Sequence, residues 1–112
     1  MKSGFTVPKH LQPATRRWLK RLQNDYFLED HHAKLAILAG EAWDRGVQAR
    51  EAIARDGLTF RDDRANIRPH PLLAVERDAR TAFARLIREL DLDTEGPASA
   101  ARPPALASNR GR

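Results

Sequence analysis

Residues 31–56, HHAKLAILAGEAWDRGVQAREAIARD, form the longest uninterrupted helical pattern in the chain. A helix of this length spans about 39 Å at about 1.5 Å per residue. Two apolar strips recur along it at spacings of three and four residues, rotated by about a quarter turn from each other. The first strip comprises Leu35, Leu38, Ala39, Ala42, Gly46, Ala49 and Ile53, and the second comprises Ala36, Trp43, Val47 and Ala54. One short partner helix cannot cover both strips, so the surplus apolar surface predicts a subunit interface.

The composition is that of a small helical protein. The chain has 112 residues and no cysteine, which excludes disulfides and thiolate metal sites. Residues 93–112 are rich in proline, glycine, alanine and serine and are expected to form a disordered tail, which leaves about ninety residues for a core. No apolar run approaches the roughly 18 residues of a membrane span, and the N-terminus lacks an apolar signal core. The expected location is therefore the cytoplasm.

The positive charge is concentrated near the N-terminus. The formal net charge is +5, and residues 1–28 alone carry a net +5, whereas residues 29–92 carry −1 and the tail +1. The basic residues of the first segment are Lys2, Lys9, Arg16, Arg17, Lys20 and Arg21. Localised positive charge suits a polyanion, and we expect these residues to contact nucleic acid rather than anionic lipid.

The N-terminal part predicts an extended leader followed by an amphipathic helix. Pro8 keeps residues 1–10 out of a helix, and Pro13 suits the first turn of a helix that runs to about Tyr26. Apolar positions lie on one side of this helix and basic residues on the other. The apolar set is Leu11, Trp18, Leu19, Leu22 and Tyr26, and the basic set is Arg16, Arg17, Lys20 and Arg21.

Capping residues, glycine and proline indicate where the other helices begin and end. Asp30 is expected to be the N-cap of the long helix, and Gly57 is expected to end it. The segment 58–68, LTFRDDRANIR, is either a short β-hairpin or an extended excursion. Pro71 is placed at the first position of a third helix that runs from about Leu72 to Leu90.

The third helix is expected to pack antiparallel on the long one. Its apolar stripe is spaced closely enough to 3.5 residues to suggest coiled-coil-like packing. The stripe comprises Leu72, Val75, Ala79, Ala82, Phe83, Leu86 and Leu90. The residues predicted to form the oligomer interface are Leu35, Leu38, Ala39, Ala42, Trp43, Val47, Ile53, Val75, Phe83 and Leu86. The predicted fold class is all-α, a first helix plus a long antiparallel helical hairpin joined by an extended or β-hairpin-like loop, which assembles into a homo-oligomer.

No pattern points to catalysis, a cofactor or a metal. The chain lacks a glycine-rich phosphate loop, an H-E-x-x-H pair and a nucleophile elbow. His31 and His32, beside Glu29 and Asp30, superficially resemble metal ligands, but adjacent helical residues point about 100° apart and the helix N-terminus disfavours a cation. Packing or capping is therefore expected there.

Other conspicuous side chains also have structural explanations. Trp18 and Trp43 occupy stripe positions, where packing is expected rather than stacking on bases. His70 is expected to be structural, because it lies between two prolines in a turn. Asp62 and Asp63 adjoin arginines and are expected at a solvated loop tip.

Several short features carry a resemblance to a known family. In chain order they are Pro8, His10 and Leu11 before Trp18; Leu28 and Asp30 opening the long helix; Ile53 and Gly57 closing it; the turn His70-Pro71-Leu72; and the closing Leu86-Ile87-Arg88-Glu89-Leu90-Asp91-Leu92. Their order and spacing, over about residues 7–93, resemble the phage terminase small-subunit family in its short helical class. Asp91 departs from the family's usual glycine, and the loop from Arg61 to Arg68 also lacks the usual glycine.

The resemblance implies a non-enzymatic role in viral genome packaging. Such proteins form oligomeric rings that recognise viral double-stranded DNA and deliver it to a large subunit, which holds the ATPase and nuclease. In this interpretation residues 1–28 supply a basic leader and helix for DNA, residues 29–92 form the oligomerisation core, and residues 93–112 are a tail that docks on the large subunit or reaches DNA.

Two other functions remain open from the residues alone. One is a small basic regulator or nucleoid-type protein that acts as a dimer on DNA. The other is a structural adaptor whose basic face meets an acidic protein. The mass in solution and salt-dependent binding to duplex DNA distinguish these functions from a ring-forming packaging protein.

Overall fold

A computed structural model of the protein describes residues 5–92, in which three helices and two short strands follow one another. The helices are α1 (Pro13–Asp25), α2 (Asp30–Asp56) and α3 (Leu72–Leu90). The strands β1 (Thr59–Arg61) and β2 (Ile67–Pro69) lie between α2 and α3. The helical prediction is confirmed, and the predicted tail at 93–112 lies outside the described residues.

Proline and glycine residues lie at the ends of the helices, close to where the sequence predicted them. Pro13 is the first residue of α1, and Gly57 caps α2 in a positive-φ conformation (φ 91°) that favours glycine. The expected N-cap Asp30 is wrong by one residue, since Glu29 holds the extended N-cap conformation. Asp30 instead begins the helix and pairs with Lys34 at 3.3 Å. Pro71 likewise lies one position earlier than predicted, as the N-cap of α3.

The α2 and α3 helices form an antiparallel pair. Arg50, in the second half of α2, bonds Glu76 near the start of α3 at 3.0 Å, while the Trp43 and Phe83 rings meet farther along at 5.0 Å between centroids. Small residues permit the close approach of the two backbones, and those buried along the pair are Ala39, Gly46, Ala49 and Ala79.

The main core lies where α1, the start of α2 and the end of α3 meet. Its buried members are Val7, Leu11, Leu19, Leu22, Leu28, Ala36 and Leu90. Val7 belongs to the segment preceding α1, which is therefore packed against the helices and not merely a leader. The second strip of the sequence analysis is thus divided: Ala36 is fully buried, whereas Trp43 and Ala54 are exposed.

The segment after α2 is a β-hairpin, which decides between the two alternatives left by the sequence. The strands are antiparallel, with Phe60 opposite Arg68. The tip closes without glycine because Ala65 adopts a left-handed conformation (φ 61°) and Asp62 accepts backbone hydrogen bonds from Arg64 and Asn66. Asp62 therefore organises the tip expected to be solvated, and its second oxygen pairs with Arg68 at 2.9 Å.

His70 joins the hairpin to both long helices, which confirms its structural role. The Leu72 N–H donates to His70 Nδ1 at 3.0 Å, so the proton of the neutral ring is on Nε2. Nε2 then donates to the Asp56 carboxylate at 3.0 Å. One buried imidazole thus connects the end of α2 to the start of α3.

A close contact seats α1 on the middle of α2. The Thr15 hydroxyl donates to Asp44 Oδ1 at 2.6 Å, and the Gln12 N–H donates to Asp44 Oδ2 at 2.8 Å. Gly40 lies one turn before Asp44, and a Cβ added there would stand 2.9 Å from the Thr15 methyl carbon. The hydrogen bond to Asp44 restrains Thr15, so this methyl group has little freedom to give way.

We expect Gly40→Ala to destabilise the fold. Overpacking costs about 1–3 kcal/mol, which outweighs the roughly 1 kcal/mol that alanine gains in helix propensity. Gly46→Ala is the matched control, because a Cβ there meets its nearest atoms at 3.5 and 3.6 Å, ordinary contact distances. Urea unfolding should give a lower free energy of unfolding for Gly40→Ala and an equal or higher one for Gly46→Ala; equal effects would contradict the tight contact.

Candidate nucleic-acid interface

The predicted basic residues form the outer face of α1. Arg17, Lys20 and Arg21 are exposed, and Lys9 is exposed in the turn before the helix. Arg16 is half-buried, and its Nε is enclosed without a hydrogen-bond partner among residues 5–92. Lys2 lies outside the described residues. The structure thus brings together the four helical members of the predicted DNA-binding set, which we call the basic face.

The basic face is opposite the buried side of α1. At about 100° per residue, its four members span an arc of about 140° centred away from Thr15, Leu19 and Leu22. Among the described residues no carboxylate forms an ion pair with any of the four. An unpaired cationic surface of this kind can bind successive phosphates of a polyanion.

Contacts on both sides of α1 fix the orientation of the basic face. Asp44 holds the first turn, as described above. Farther along, the Gln23 side-chain amide donates to the Phe5 carbonyl, which ties the preceding segment back onto the helix. His10 bonds Glu41 at 2.9 Å on the surface of α2. The basic side chains are consequently presented from a rigid support.

Sequence reasoning missed the residues that position the basic face. Thr15 and Asp44 are polar and sit within helical patterns, so periodicity alone assigns them no partner. The one signal was the interruption of an apolar strip by a short carboxylate, four residues after Gly40. Sequence reasoning also gave no role to Arg85 and Arg88, which lie exposed on the outside of α3.

The residues predicted to form an oligomer interface are distributed unevenly over the surface. Trp43 is 48% exposed and Leu38 is 50% exposed, although both are large and apolar. Ala39 is fully buried within the single chain and offers no surface to another subunit. The half-buried members are Leu35, Ala42, Val47, Ile53, Val75, Phe83 and Leu86.

The histidines at the start of α2 are closer together than the sequence indicated. The His31 and His32 rings lie 4.1 Å apart between centroids, tilted by 41°, and one nitrogen of each lies within 4.8 Å of a Glu29 oxygen. His31 and Glu29 are exposed, and the group lies at the positive end of the helix dipole. The geometry differs from the expected splayed pair, but the surroundings remain unfavourable for a cation.

The ion pairs next to Trp43 leave a positive excess. Arg50 Nη1 and Arg80 Nη2 share one Glu76 oxygen, at 3.0 and 2.6 Å. The hydrogen bond from Arg80 is the largest cause that lowers the pKa of Glu76 below its usual 4.5, with a further contribution from Arg50; partial burial opposes both. The Arg50 guanidinium also lies 5.8 Å from the centre of the Trp43 ring.

With this geometry established, comparison with protein families gives a clear result. A family model described as phage terminase, small subunit, matches residues 14–105, which is well over half of the chain. The chain belongs to the phage terminase small-subunit family. No curated protein and no solved structure shows a significant match.

Family membership has direct consequences for this small subunit. The family implies a role in phage DNA packaging and is generally non-catalytic, with the ATPase and nuclease in the large subunit. This agrees with the resemblance noted from the sequence. None of the helices in residues 5–92 is long and apolar enough to cross a membrane.

The Glu76 pair predicts a pH-dependent contribution to stability. Because its folded-state pKa is lowered, ionised Glu76 stabilises the fold above the unfolded-state pKa of about 4.5, and this stabilisation is lost as the pH falls through the folded-state value. We expect Glu76→Gln to melt below the wild type at pH 7, with the difference shrinking towards pH 3.

Glu89→Gln provides the control for this measurement. Glu89 is an exposed carboxylate on the same helix and has no ion pair within the described residues. Its melting temperature should follow the wild type at every pH. A difference in melting temperature between Glu76→Gln and the wild type that stays constant from pH 7 to pH 3 would show that the ionised Glu76 carboxylate does not stabilise the fold.

Proposed function

We propose that this small terminase subunit assembles into a homo-oligomeric ring, binds viral double-stranded DNA through the basic face of α1, and delivers it to the large subunit for packaging. The observation that supports DNA binding is the basic face itself: four cationic residues on one arc of a helix, without carboxylate partners in the described chain. Family membership supports the packaging context.

The contact is with the phosphate backbone. Arginine and lysine on the face of a surface helix neutralise phosphates and release counterions, which gives affinity without sequence readout. One subunit offers only a few such contacts. Repetition of the basic face around a ring raises the effective concentration of the remaining contacts after the first has formed, so that weak single contacts give stable binding.

The three segments of the chain have different roles in this proposal. The segment preceding α1 and α1 itself contact DNA, with Lys2 and Lys9 extending the cationic surface. The α2–α3 pair forms the assembly core. Residues 93–112 supply a tail that docks on the large subunit or reaches DNA.

The decisive experiment measures the affinity for duplex DNA as a function of salt. The variant Arg17→Gln/Lys20→Gln/Arg21→Gln removes the three exposed charges and leaves the half-buried Arg16 in place. Its charge-matched control is Arg64→Gln/Arg85→Gln/Arg88→Gln, which neutralises exposed arginines on the hairpin and α3. Both variants lower the net charge equally and should remain folded by circular dichroism.

We expect the α1 variant to bind at least about tenfold more weakly and to show a shallower salt dependence, by about one unit of slope for each lost phosphate contact. The control variant should lose much less affinity for duplex DNA. Equal losses of affinity in both variants would show that binding depends on the overall charge and not on the basic face. If the wild type shows no measurable binding to duplex DNA at low salt, the DNA role is rejected and the structural adaptor for an acidic protein is the remaining function.

A further inference from the structure

The three helices leave two unlike apolar surfaces that the single chain covers only in part. The first, the aromatic face, consists of Trp18, Trp43 and Phe83. The second, the alanine groove, is lined by Leu38, Ala42, Val75, Ala79, Ala82 and Leu86. We propose that the aromatic face of one copy packs into the alanine groove of the next copy, head to tail. This inference rests on the proposed ring and names the surfaces that build it.

The aromatic face is a preorganised surface. Phe83 lies between the two indoles, at 5.0 Å from Trp43 and 6.2 Å from Trp18 between ring centroids. All three rings line a depression of about 260 Å³ between α1 and the helix pair, and Trp43 leaves about half of its surface exposed. Large aromatic side chains held in this way lose little entropy on binding and often dominate interfaces.

The alanine groove can admit a large side chain such as the exposed part of Trp43. It is an open depression of about 450 Å³, and its lining includes three alanines, with the longer Leu38, Val75 and Leu86 beside them. Small residues there leave room for a large side chain from outside. Leu38 is half exposed at this site and gains burial when the groove is filled.

The two surfaces lie on opposite flanks of the helix pair. Leu38 and Trp43 are five residues apart on α2, which places them about 140° from each other around the helix. Gly46, which faces Ala79 across the pair, lies between them. A chain therefore cannot insert its own aromatic face into its own groove, and the matching surface belongs to a second copy.

The charges around the two surfaces favour a head-to-tail contact over a two-fold one. Beside Trp43, Arg50 and Arg80 share the single carboxylate of Glu76, which leaves a positive excess. The lining of the groove includes Glu41, Asp78 and Arg45, and Asp78 pairs with Arg77 at 3.5 Å, so the charges there are balanced. A head-to-tail contact places the positive excess against this balanced surface, whereas a two-fold contact between two aromatic faces would oppose the positive excess with itself.

Head-to-tail contact has a topological consequence. An interface between unlike surfaces is heterologous, so each copy keeps one free surface until the assembly closes into a ring. A two-fold contact would instead stop at a dimer. The pairing of face and groove thus favours the ring over the dimeric regulator.

Engineered cysteines test the pairing directly, because the chain has none of its own. Leu38→Cys and Trp43→Cys are made singly and together in the full chain, oxidised or treated with a short bismaleimide, and analysed on denaturing non-reducing gels. We expect the double variant to give a ladder of covalent oligomers, while each single variant remains monomeric on the gel.

Light scattering on the wild type separates failure of this pairing from failure of the ring. If the wild type assembles, the double variant gives no ladder and Trp43→Ala leaves the mass unchanged, the proposed surfaces are wrong while the ring stands. Dimers of a single-cysteine variant would show a two-fold contact and overturn the head-to-tail arrangement. A monomeric wild type would reject both the ring and the pairing.

Replacing Trp43 by cysteine removes part of the proposed contact, so a second measurement tests the role of Trp43 without cross-linking. Trp43→Ala should shift the mass in light scattering towards smaller species at micromolar concentration. Phe27→Ala is the matched control, because Phe27 is 63% exposed but belongs to neither surface. An unchanged mass for Trp43→Ala would exclude the aromatic face from the interface.

Discussion

The seating of α1 on α2 at Gly40 is the contact on which the functional surfaces depend. Because Gly40 has no Cβ, Thr15 approaches the α2 backbone closely enough to donate its hydroxyl to Asp44. Asp44 also accepts the Gln12 N–H, so one carboxylate stabilises the start of α1 from a neighbouring helix. A buried carboxylate is tolerated where hydrogen bonds satisfy it. This contact sets the direction of the basic face and brings Trp18 towards Phe83.

Small residues determine which side chains remain on the outside. The helices of the α2–α3 pair approach through alanines and glycine, so the large side chains of α2 are displaced to the flanks. Trp43 and Leu38 are exposed for this reason and not through poor packing of the core. The surplus apolar surface that the sequence indicated is therefore a consequence of backbone approach. In the proposed assembly, a second copy of the chain covers this surface.

Local signals allowed the helices to be predicted, but the tertiary polar contacts could not be. Pro13 and Gly57 act through their own backbone restrictions, which are readable without a fold. The hairpin tip was ambiguous because it uses Asp62 side-chain bonds and a left-handed Ala65 in place of glycine. The pairing of Thr15 with Asp44 spans 29 positions, and no periodicity encodes such a partner. For the same reason the basic face was predictable as a set, whereas its support was not.

The distribution of charge reconciles DNA binding with self-association. Like-charged subunits that crowd into a ring repel one another, and the repulsion is greatest where the charge lies within the contact. Here residues 29–92 carry a net charge of only −1, and the charges at the alanine groove are balanced. The net +5 of residues 1–28 is instead associated with a helix whose outer face points away from the α2–α3 pair. In the proposed ring, repetition of the chain would therefore accumulate positive charge on the surface offered to DNA and little charge where the subunits meet.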